Sequence, residues 1–321
     1  MAHSRKLTIF IGESGSGKTT IAKKMCENNP NLVRLERDEL RLELANDPNA
    51  PKGGKFERFV SMAQASRADK ALSEGKSILI SDTNLNPNTV EKWRNFARHK
   101  AEFDIYRVMT PMDECILRDS KRTGKAKVGM AVIHRQFLMS GRLPIDKEKK
   151  IILCDVDGTL SDHRGIRGPY DENKVLLDKP FQNIIDEVNK YHDSGHTVII
   201  ISGRHSTCGD DTVIWLRNNG VKFDFILMRH MWDNQSDFIA KQQILDELLN
   251  VVPKENIVKV FDDRPQVIHH TWLKNNLPIQ PVWNNQLIPI EEWMTKHSEH
   301  CNAKLQKGYG RCPDCGAIEE F

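Results

Sequence analysis

Long apolar runs and aromatic residues are scarce in this sequence. Aromatic residues make up 7% of its 321 residues, and no stretch approaches the ~20 consecutive apolar residues that a membrane helix needs. The first residues lead straight into a predicted strand at Leu7, which leaves no room for a signal peptide. We therefore expect a cytoplasmic protein that has no membrane partner.

Cysteines are also few, and their positions are uneven. Four of the seven, Cys26, Cys115, Cys154 and Cys208, are scattered and are predicted to be packed or free thiols. The remaining three fall near the end of the sequence with two histidines, as His297, His300, Cys301, Cys312 and Cys315. Four nitrogen and sulfur ligands make a closed, structural zinc site. The spacing predicts Zn²⁺ on the Cys312–Cys315 pair, completed by Cys301 with either His297 or His300, and free thiols are the alternative.

The small net charge of +3 conceals an asymmetry between the halves of the chain. Residues 1–150 hold 29 Lys/Arg and 19 Asp/Glu, a net of +10, and residues 151–321 hold 18 and 25, a net of −7. A basic half suits a polyanionic partner such as nucleic acid. An acidic half suits carboxylates gathered around a metal, although either bias is also compatible with an ordinary solvated surface.

A phosphate-binding loop follows the first predicted strand. The sequence Gly12-x-x-x-x-Gly17-Lys18-Thr19 has the G-x-x-x-x-G-K-[ST] pattern, with an apolar strand before it and a helix from about residue 19 to 27 after it. Backbone N–H groups of such a loop surround the phosphates of ATP, the lysine contacts the β- and γ-phosphates, and the threonine hydroxyl contacts Mg²⁺. The predicted nucleotide-binding residues are Gly12, Gly15, Gly17, Lys18, Thr19 and Thr20. A chance glycine-rich turn is the alternative.

Two acidic residues follow further predicted strands of the first half. Asp38 follows the strand at 32–35, and Asp82 follows the strand at 77–81. Because ligands bind at the carboxyl edge of parallel sheets, Asp38 is predicted to accept the proton of an attacking hydroxyl. Arg41, one turn later, is predicted to hold a substrate phosphate, and Asp82 to support the metal or the acceptor. The alternative for Asp38 is a plain helix N-cap.

A basic segment closes the first half. Residues 118–127 contain five Lys or Arg residues and a glycine, and we expect a loop that follows a helix. Such a loop is predicted to form a lid in which an arginine stabilises charge on the transferred phosphoryl group. A solvated charged turn is the alternative.

The second half carries a different set of acidic motifs. Asp155-Val156-Asp157-Gly158-Thr159 follows an apolar strand at 151–154 and resembles motif I of the haloacid dehalogenase superfamily of phosphatases. The first aspartate attacks phosphorus and the second serves as acid and base. The other three motifs of that superfamily are matched by Ser202-Gly203-Arg204, by Lys241, and by the Mg²⁺-binding Asp262-Asp263.

These patterns predict an α/β fold with two parallel-sheet domains. We expect a phosphate-loop kinase domain at residues 1–147, a capless haloacid dehalogenase domain at 148–290, and a zinc-binding tail at 291–321. The intervals between the phosphatase motifs leave no room for a sizeable cap, which suits a phosphate at the end of a macromolecule. The loop at residues 163–171 is then the predicted flap, with Arg167 as a phosphate contact.

A kinase of this type followed by such a phosphatase resembles the bacteriophage polynucleotide kinase-phosphatases, end-healing enzymes of RNA repair, over about residues 6–275. The resemblance implies two activities: transfer of the ATP γ-phosphoryl group to 5′-hydroxyl ends of RNA or DNA, and removal of a 3′-phosphate or a 2′,3′-cyclic phosphate. It also implies that the enzyme uses Mg²⁺ and forms a homo-oligomer, and that it acts in the host cytoplasm if it is encoded by a phage. The resemblance implies that the catalytic residues are Lys18, Asp38, Arg122, Asp155 and Asp157. It implies that ATP is contacted by Arg118 and Arg122. It implies that the substrate is contacted by Arg41, Asp82, Arg167, Ser202, Gly203, Arg204, Asp237 and Lys241. Thr19, Asp155, Asp157, Asp262 and Asp263 would hold Mg²⁺.

Two other functions remain open at this point. The first is a metabolic kinase fused to a small-molecule phosphatase, which would share the phosphate loop and the lid. The second is a nucleic-acid end binder that has lost its chemistry, although every charged residue that the two reactions need is present. The choice between RNA and DNA ends is also open.

Overall fold

Two parallel β-sheets, one in each half of the chain, organise the structure, which is a computed structural model. The chain divides into two compact units, Met1–Val128 and Gly129–Phe321. The structure describes residues 5–45, 54–168, 171–231 and 233–305, with no side-chain description at 54, 125 and 300–305. In these ranges no helix has the length and apolar composition that crossing a membrane requires.

The first unit is a four-stranded parallel sheet with strand order β2-β3-β1-β4. In chain order its elements are β1 (Lys6–Ile11), α1 (Lys18–Glu27), β2 (Leu32–Leu35), α2 (Arg37–Ala45), α3 (Gly54–Ser73), β3 (Ser77–Ile80), α4 (Pro87–Ala97), β4 (Glu102–Arg107) and α5 (Met112–Ser120). Alternate residues of β1 and β3 pack on Trp93 of α4, while Phe10 and Leu79 pack on the opposite face against α1. Burial on both faces explains why these strands are apolar throughout.

The second unit is a six-stranded sheet with strand order β12-β11-β10-β5-β8-β9, in which only the edge strand β12 is antiparallel among the described strands. Its elements are α6 (Met130–Met139), β5 (Ile151–Cys154), β6 (Ser161–Asp162), β7 (Lys179–Pro180), α7 (Gln182–Asp193), β8 (Thr197–His205), α8 (Gly209–Asn218), β9 (Phe225–Arg229), α9 (Asp237–Leu249), β10 (Ile257–Asp262), α10 (Pro265–Val267), β11 (Ile279–Trp283), β12 (Gln286–Leu287) and α11 (Ile290–Leu305). A π-helical segment, Ile268–Leu273, continues α10. The predicted two-sheet α/β fold is confirmed.

The division between the units falls before α6, whereas the sequence places a boundary at residue 147. Helix α6 packs against β9 and α8 of the second unit. Its buried side chains include Ile133, His134 and Phe137. The polar stretch at 144–150 marks a change in composition, but it does not reveal which core the preceding helix covers.

Two predicted segments differ in detail from the structure. The basic lid at 118–127 does not begin as a loop, because α5 continues to Ser120 and carries Arg118 in its last turn. The predicted tail begins as helix α11, whose Trp293 is fully buried. Cys312 and Cys315 of the predicted zinc site, and Pro169 and Tyr170 of the predicted flap, lie outside the described residues.

Candidate active sites

The phosphate loop has the backbone that its glycines allow. Gly15 and Gly17 have φ angles of +81° and +98°, a region that residues with a Cβ rarely adopt. A Cβ on Gly15 would lie 2.4 Å from the carbonyl oxygen of Cys115 on α5. The loop is thus pressed against α5 at this position, and only glycine fits. Gly12 begins the loop, where its N–H donates to the carbonyl of Thr83 at 3.2 Å.

Lys18 and Thr19 open helix α1 at the end of this loop. Lys18 is buried, and its Nζ donates to the carbonyl of Glu13 at 2.8 Å. Burial lowers the pKa of Lys18 to about 8. The Thr19 hydroxyl donates to Oε1 of Glu36 at 3.0 Å, so the two oxygens are placed as a pair of hard ligands of the kind that Mg²⁺ prefers. Thr20 follows on the exposed side of the same turn.

Asp38 and Arg41 lie on one face of α2. Asp38 is in the first turn of the helix, so it is not its N-cap, and its side chain is 69% exposed. Arg41 contacts Asp38 and also forms a two-pronged pair with Glu57 of α3, with Nε–Oε1 and Nη2–Oε2 distances of 2.6 and 3.0 Å. The guanidinium is therefore held in place beside an accessible carboxylate, as a base and a substrate anchor would be.

Asp82 contacts the start of α2. Its Oδ1 accepts from the backbone N–H of Arg37, and its Oδ2 accepts from Nε2 of Gln64, both at 2.8 Å. Burial raises the pKa of Asp82, although these two hydrogen bonds oppose the rise. In this geometry Asp82 positions the helix that carries Asp38 and Arg41, and its direct role at the acceptor remains a prediction.

The two predicted lid arginines occupy different positions. Nη1 of Arg118 donates to the carbonyls of Ser16 and Gly15 at 3.1 and 3.3 Å, which places the guanidinium on the phosphate loop itself. Arg122 lies after α5 and contacts Asp119 Oδ1 at 3.4 Å. Asp119 is buried and also accepts from the backbone N–H of Val128, so it ties the segment after α5 back onto the helix.

The second unit gathers three carboxylates at the carboxyl ends of β5 and β10. One oxygen each of Asp155, Asp262 and Asp263 lies within 4.8 Å of the others. Nζ of Lys241, on α9, lies 2.7 Å from Asp155 Oδ1 and 2.8 Å from Asp262 Oδ2. Although burial alone would lower it, these carboxylates raise the pKa of Lys241 well above its usual range. The all-oxygen set fits Mg²⁺, and the buried lysine offsets part of its negative charge.

Glycines in the motifs permit this close approach of carboxylates. A Cβ on Gly158, which has a φ of +81°, would lie 2.0 Å from Oδ2 of Asp263. A Cβ on Gly203 would lie 1.7 Å from Oδ1 of Asp237. A side chain at either glycine would therefore displace the neighbouring carboxylate, and at Gly158 it would also strain the backbone. Ser202, just before Gly203, is fully buried, and its Oγ accepts from the backbone N–H of Arg204 at 3.2 Å.

Asp157 is held by two arginines and does not join the carboxylate cluster. Arg204 donates to it through Nε and Nη2 at 2.8 and 2.7 Å, and Nη2 of Arg167 donates at 2.6 Å. Burial would raise the pKa of Asp157, but the hydrogen bonds and charges of the arginines lower it to about 2. The side chain of Asp157 is not among the three carboxylates gathered as Asp155, Asp262 and Asp263, and its predicted Mg²⁺ contact remains a prediction. The predicted phosphate contacts of Arg167 and Arg204 remain predictions.

A residue that the sequence did not single out completes this arrangement. Asp178, just before β7, is fully buried and accepts from Nε and Nη2 of Arg167 and from Nη2 of Arg204, each at 2.7 Å. Two carboxylates thus face two guanidiniums. No local motif marks Asp178, because its partners are brought to it only by the fold.

Asp237 begins α9 and connects the cluster to neighbouring cations. It lies 3.0 Å from Nη2 of Arg229, 3.1 Å from Nη1 of Arg264 and 3.7 Å from Nζ of Lys241. Burial would raise the pKa of Asp237, but these three cations lower it. The structure therefore places Asp237 beside the predicted phosphatase residues.

The predicted zinc ligands are only partly described. His297 is buried on α11, with its ring stacked on Trp293 at a centroid distance of 4.7 Å. The ring of His269 lies 5.2 Å from that of His297. The side chains of His300 and Cys301 are not described, so the zinc site remains a prediction.

Glu36 and Asp178 are thus the main functional candidates that sequence reasoning missed. Glu36 directly follows β2, so the rule that selected Asp38 also applied to it. Trp272, which donates from Nε1 to Asp262 Oδ2 at 2.9 Å, had no such signal.

Comparisons with known proteins agree with this arrangement. Residues 149–286 match the family model described as the polynucleotide kinase PNKP phosphatase domain, and residues 7–139 match an AAA domain model. A protein of Autographa californica nuclear polyhedrosis virus, whose proposed identity is a bifunctional polynucleotide kinase/RNA ligase, is 28% identical over 305 residues. That match covers 88% of this chain and 42% of the viral protein, so this chain spans less than half of that relative's length.

Solved structures include more distant matches. A chain from the structure of the Pnkp1/Rnl/Hen1 RNA repair complex is 22% identical, with 88% of this chain and 97% of that chain covered and a TM-score of 0.39. The Mycobacterium tuberculosis APS kinase CysC is 22% identical, with 37% and 70% covered and a TM-score of 0.31. These TM-scores are too low to relate the structures in detail. Residues 149–286 are thus similar to polynucleotide kinase phosphatase domains, and residues 7–139 ahead of them are similar to AAA domains.

Proposed function

We propose that this chain heals nucleic-acid ends by two reactions. The first unit transfers the γ-phosphoryl group of ATP to a 5′-hydroxyl end, and the second removes a 3′-phosphate or a 2′,3′-cyclic phosphate. The observation that carries the proposal is the convergence of Asp155, Asp262 and Asp263 around Lys241, in a domain of the polynucleotide kinase phosphatase family. The phosphate loop in the same chain supports the other reaction, the transfer of a phosphoryl group from ATP.

In the kinase reaction, the loop from Gly12 to Thr19 holds the phosphates of ATP, which supplies the phosphoryl group. Thr19 with Glu36 would hold Mg²⁺, which would offset the charge of these phosphates. Asp38 accepts the proton of the 5′-hydroxyl, and Arg41, fixed by Glu57, anchors the acceptor strand. Arg118 and Arg122 stabilise the charge that develops during transfer.

In the phosphatase reaction, a carboxylate oxygen of Asp155 attacks phosphorus, and the bond from phosphorus to the 3′-oxygen breaks. Asp157 is the proposed acid and base: it gives a proton to the departing oxygen and takes one from the water that hydrolyses the aspartyl-phosphate. Because Arg167 and Arg204 hold its pKa at about 2 in the structure, this role requires that substrate binding loosen these contacts and raise that pKa. Lys241 offsets the charge of the phosphoryl group. Asp155, Asp262 and Asp263 would hold Mg²⁺, which would offset more of that charge. Arg204 and Arg167 fix the position of Asp157.

Two substitutions test the division of labour. Lys18→Ala is expected to abolish transfer of label from ATP to a 5′-hydroxyl oligonucleotide and to leave 3′-phosphate release intact. Asp155→Ala is expected to do the reverse. Loss of both activities from either substitution in a folded protein would contradict the two-site assignment, and transfer of label only to a panel of sugars would favour the metabolic kinase.

The zinc site, the domain limits and the location are proposed in addition. We propose that Zn²⁺ binds Cys312, Cys315 and Cys301 with His297 or His300, and that the protein works in the cytoplasm. We also propose that the kinase domain, as a unit of sequence, ends near residue 147, in keeping with a family match that runs to residue 139, although the compact unit ends at Val128. Elemental analysis of the purified protein tests the first of these: about one zinc per chain is expected, and its absence after purification without chelator would refute the site.

A further inference from the structure

A cavity of about 550 Å³ lies in the second unit, apart from the carboxylate cluster. It is bounded by α6, by the segment after β9 and by α9. Its polar lining includes Arg135, Arg229, His230, Asn234, Gln235 and Gln243. A volume of this size falls in the range of small-ligand sites. We call this cavity the β9 pocket.

Two arginines of the β9 pocket each have a side-chain nitrogen that donates no hydrogen bond among the described residues. Arg229 is nine-tenths buried, and its Nη1 and Nη2 contact Gln235 and Asp237. Its Nε is buried and has no hydrogen-bond partner among the described residues, and the same holds for Nη1 of Arg135. Leaving a buried charged donor unpaired costs free energy. Both nitrogens are covered by neighbouring atoms, so an anionic oxygen in the pocket pairs with them when the side chains turn toward it.

Three carboxylates lie at or behind the β9 pocket, and two of them are paired with its arginines. Arg135 pairs through Nη2 with Glu247 Oε1 at 2.8 Å, and Arg229 pairs with Asp237. Asp233, which also lines the pocket, accepts from the backbone N–H of Gln235 at 2.9 Å. Each guanidinium thus keeps a partner that holds it in position, while one buried nitrogen of each has no hydrogen-bond partner among the described residues.

The position of the pocket indicates which anion it takes. Arg229 ends β9, Asp155 follows β5, and β8 lies between these two parallel strands. With a spacing of about 4.8 Å between neighbouring strands, the two strand ends are roughly 10 Å apart. Both lie at the carboxyl edge of one sheet, where ligands bind. A strand whose terminal 3′-phosphate reaches Asp155 could thus place its next phosphate group at the β9 pocket.

We propose that the β9 pocket binds the phosphodiester that joins the terminal nucleotide of a 3′-phosphate strand to the nucleotide before it. Arg135 and Arg229 donate to its non-bridging oxygens, and the amides of Asn234 and Gln243 line the space beside it. This inference rests on the proposed 3′-phosphatase activity. It adds a subsite that gives preference to polynucleotide ends over mononucleotides.

The test compares phosphate release from three substrates: a nucleoside 3′-monophosphate, a dinucleotide 3′-phosphate, and the same dinucleotide with an uncharged methylphosphonate linkage. In the wild-type protein, kcat/KM is expected to be about tenfold higher for the charged dinucleotide than for the other two substrates. A ratio of about tenfold corresponds to the free energy that one hydrogen bond to a charged group contributes. In Arg135→Gln this advantage is expected to fall to within about twofold.

A second variant and a control variant distinguish loss of the pocket from a folding defect in Arg135→Gln. Arg135 is partly buried against Glu247, so Gln243→Glu is tested alongside it, because this exposed residue places a repelling carboxylate at the pocket without disturbing the core. Arg217→Gln, an exposed arginine in the last turn of α8, is the matched control and is expected to keep the advantage.

The outcomes separate the two proposals. Phosphate release from all three substrates at equal efficiency, or an advantage that persists in both pocket variants, would overturn the subsite while leaving the 3′-phosphatase in place. An advantage that the methylphosphonate dinucleotide shares would show that the base or sugar is recognised instead of the phosphodiester, and would also overturn it. If none of the three substrates releases phosphate, both proposals fail together.

Discussion

Replacing Asp178 with asparagine tests the buried ion-pair network of the candidate phosphatase site, which no sequence motif marks. Both carboxylate oxygens of Asp178 accept hydrogen bonds from Arg167 or Arg204, and its side chain is fully buried. Asparagine keeps the shape but removes the charge and turns an N–H₂ group toward a guanidinium. Two buried cations are then left with Asp157 as their shared carboxylate. Breaking one partner of a buried ion pair costs about 3–5 kcal/mol.

Urea unfolding measures this loss directly. The free energy of unfolding falls by about 2 kcal/mol for each 1 M of urea. The urea concentration at the unfolding midpoint of the second unit is therefore expected to fall by roughly 2 M. Trp215 lies beside the substitution, since its Nε1 donates to the carbonyl of Asp178 at 2.8 Å, so tryptophan fluorescence is a suitable probe. Phosphate release is expected to fall at least tenfold at low urea as Asp157 loses its orientation, while the kinase reaction of the first unit is unchanged.

A matched control and a clear refutation complete this test. Asp193→Asn removes a carboxylate that pairs with Lys222 at an exposed position, and it is expected to shift the midpoint little. A midpoint for Asp178→Asn within about 0.5 M of the wild type would correspond to about 1 kcal/mol and would refute the buried four-residue network. Retained phosphatase activity in that variant would show that Asp157 is positioned by other contacts.

Three further predictions concern the loop, the metal and the core. Gly15→Ala is expected to reduce kinase activity more than a hundredfold by clashing with α5, whereas Gly75→Ala, with a similar φ of +80° but open space around it, is expected to leave that activity unchanged in the same assay. Glu36→Gln is expected to weaken Mg²⁺ binding by the kinase about tenfold through the loss of its contact with Thr19, so a Mg²⁺ titration of activity would shift to higher concentrations and excess Mg²⁺ would restore activity. Burial lowers the pKa of His134 to about 4, so the unfolded chain takes up a proton below about 6.5 before the folded chain does, and stability present at pH 7 is lost as the pH falls toward 4. The loss is about 3 kcal/mol, and urea unfolding at several pH values should show it in the wild type and not in His134→Gln.

The fold class could be read from the sequence because its signals are local. A strand buried on both faces must be apolar throughout, and the motifs after β1, β5, β8 and β10 mark the strand ends at which chemistry takes place. The phosphate loop was recognisable for the same reason, since its glycines meet conformational needs within a few residues. These signals do not depend on which elements become neighbours, so they survive in the linear sequence.

The remaining features depend on contacts between residues far apart in the chain. Helix α6 packs on the second unit because its apolar face meets β9, and no composition cue before residue 144 indicates this. Asp178 is defined by arginines that reach it from two other segments, and Arg229 leaves an unused donor only because β9 ends beside α9. The sequence by itself predicted two phosphate-binding domains and most of the charged residues proposed for them. Tertiary structure alone decided how those charges pair, because burial and distance set their strength.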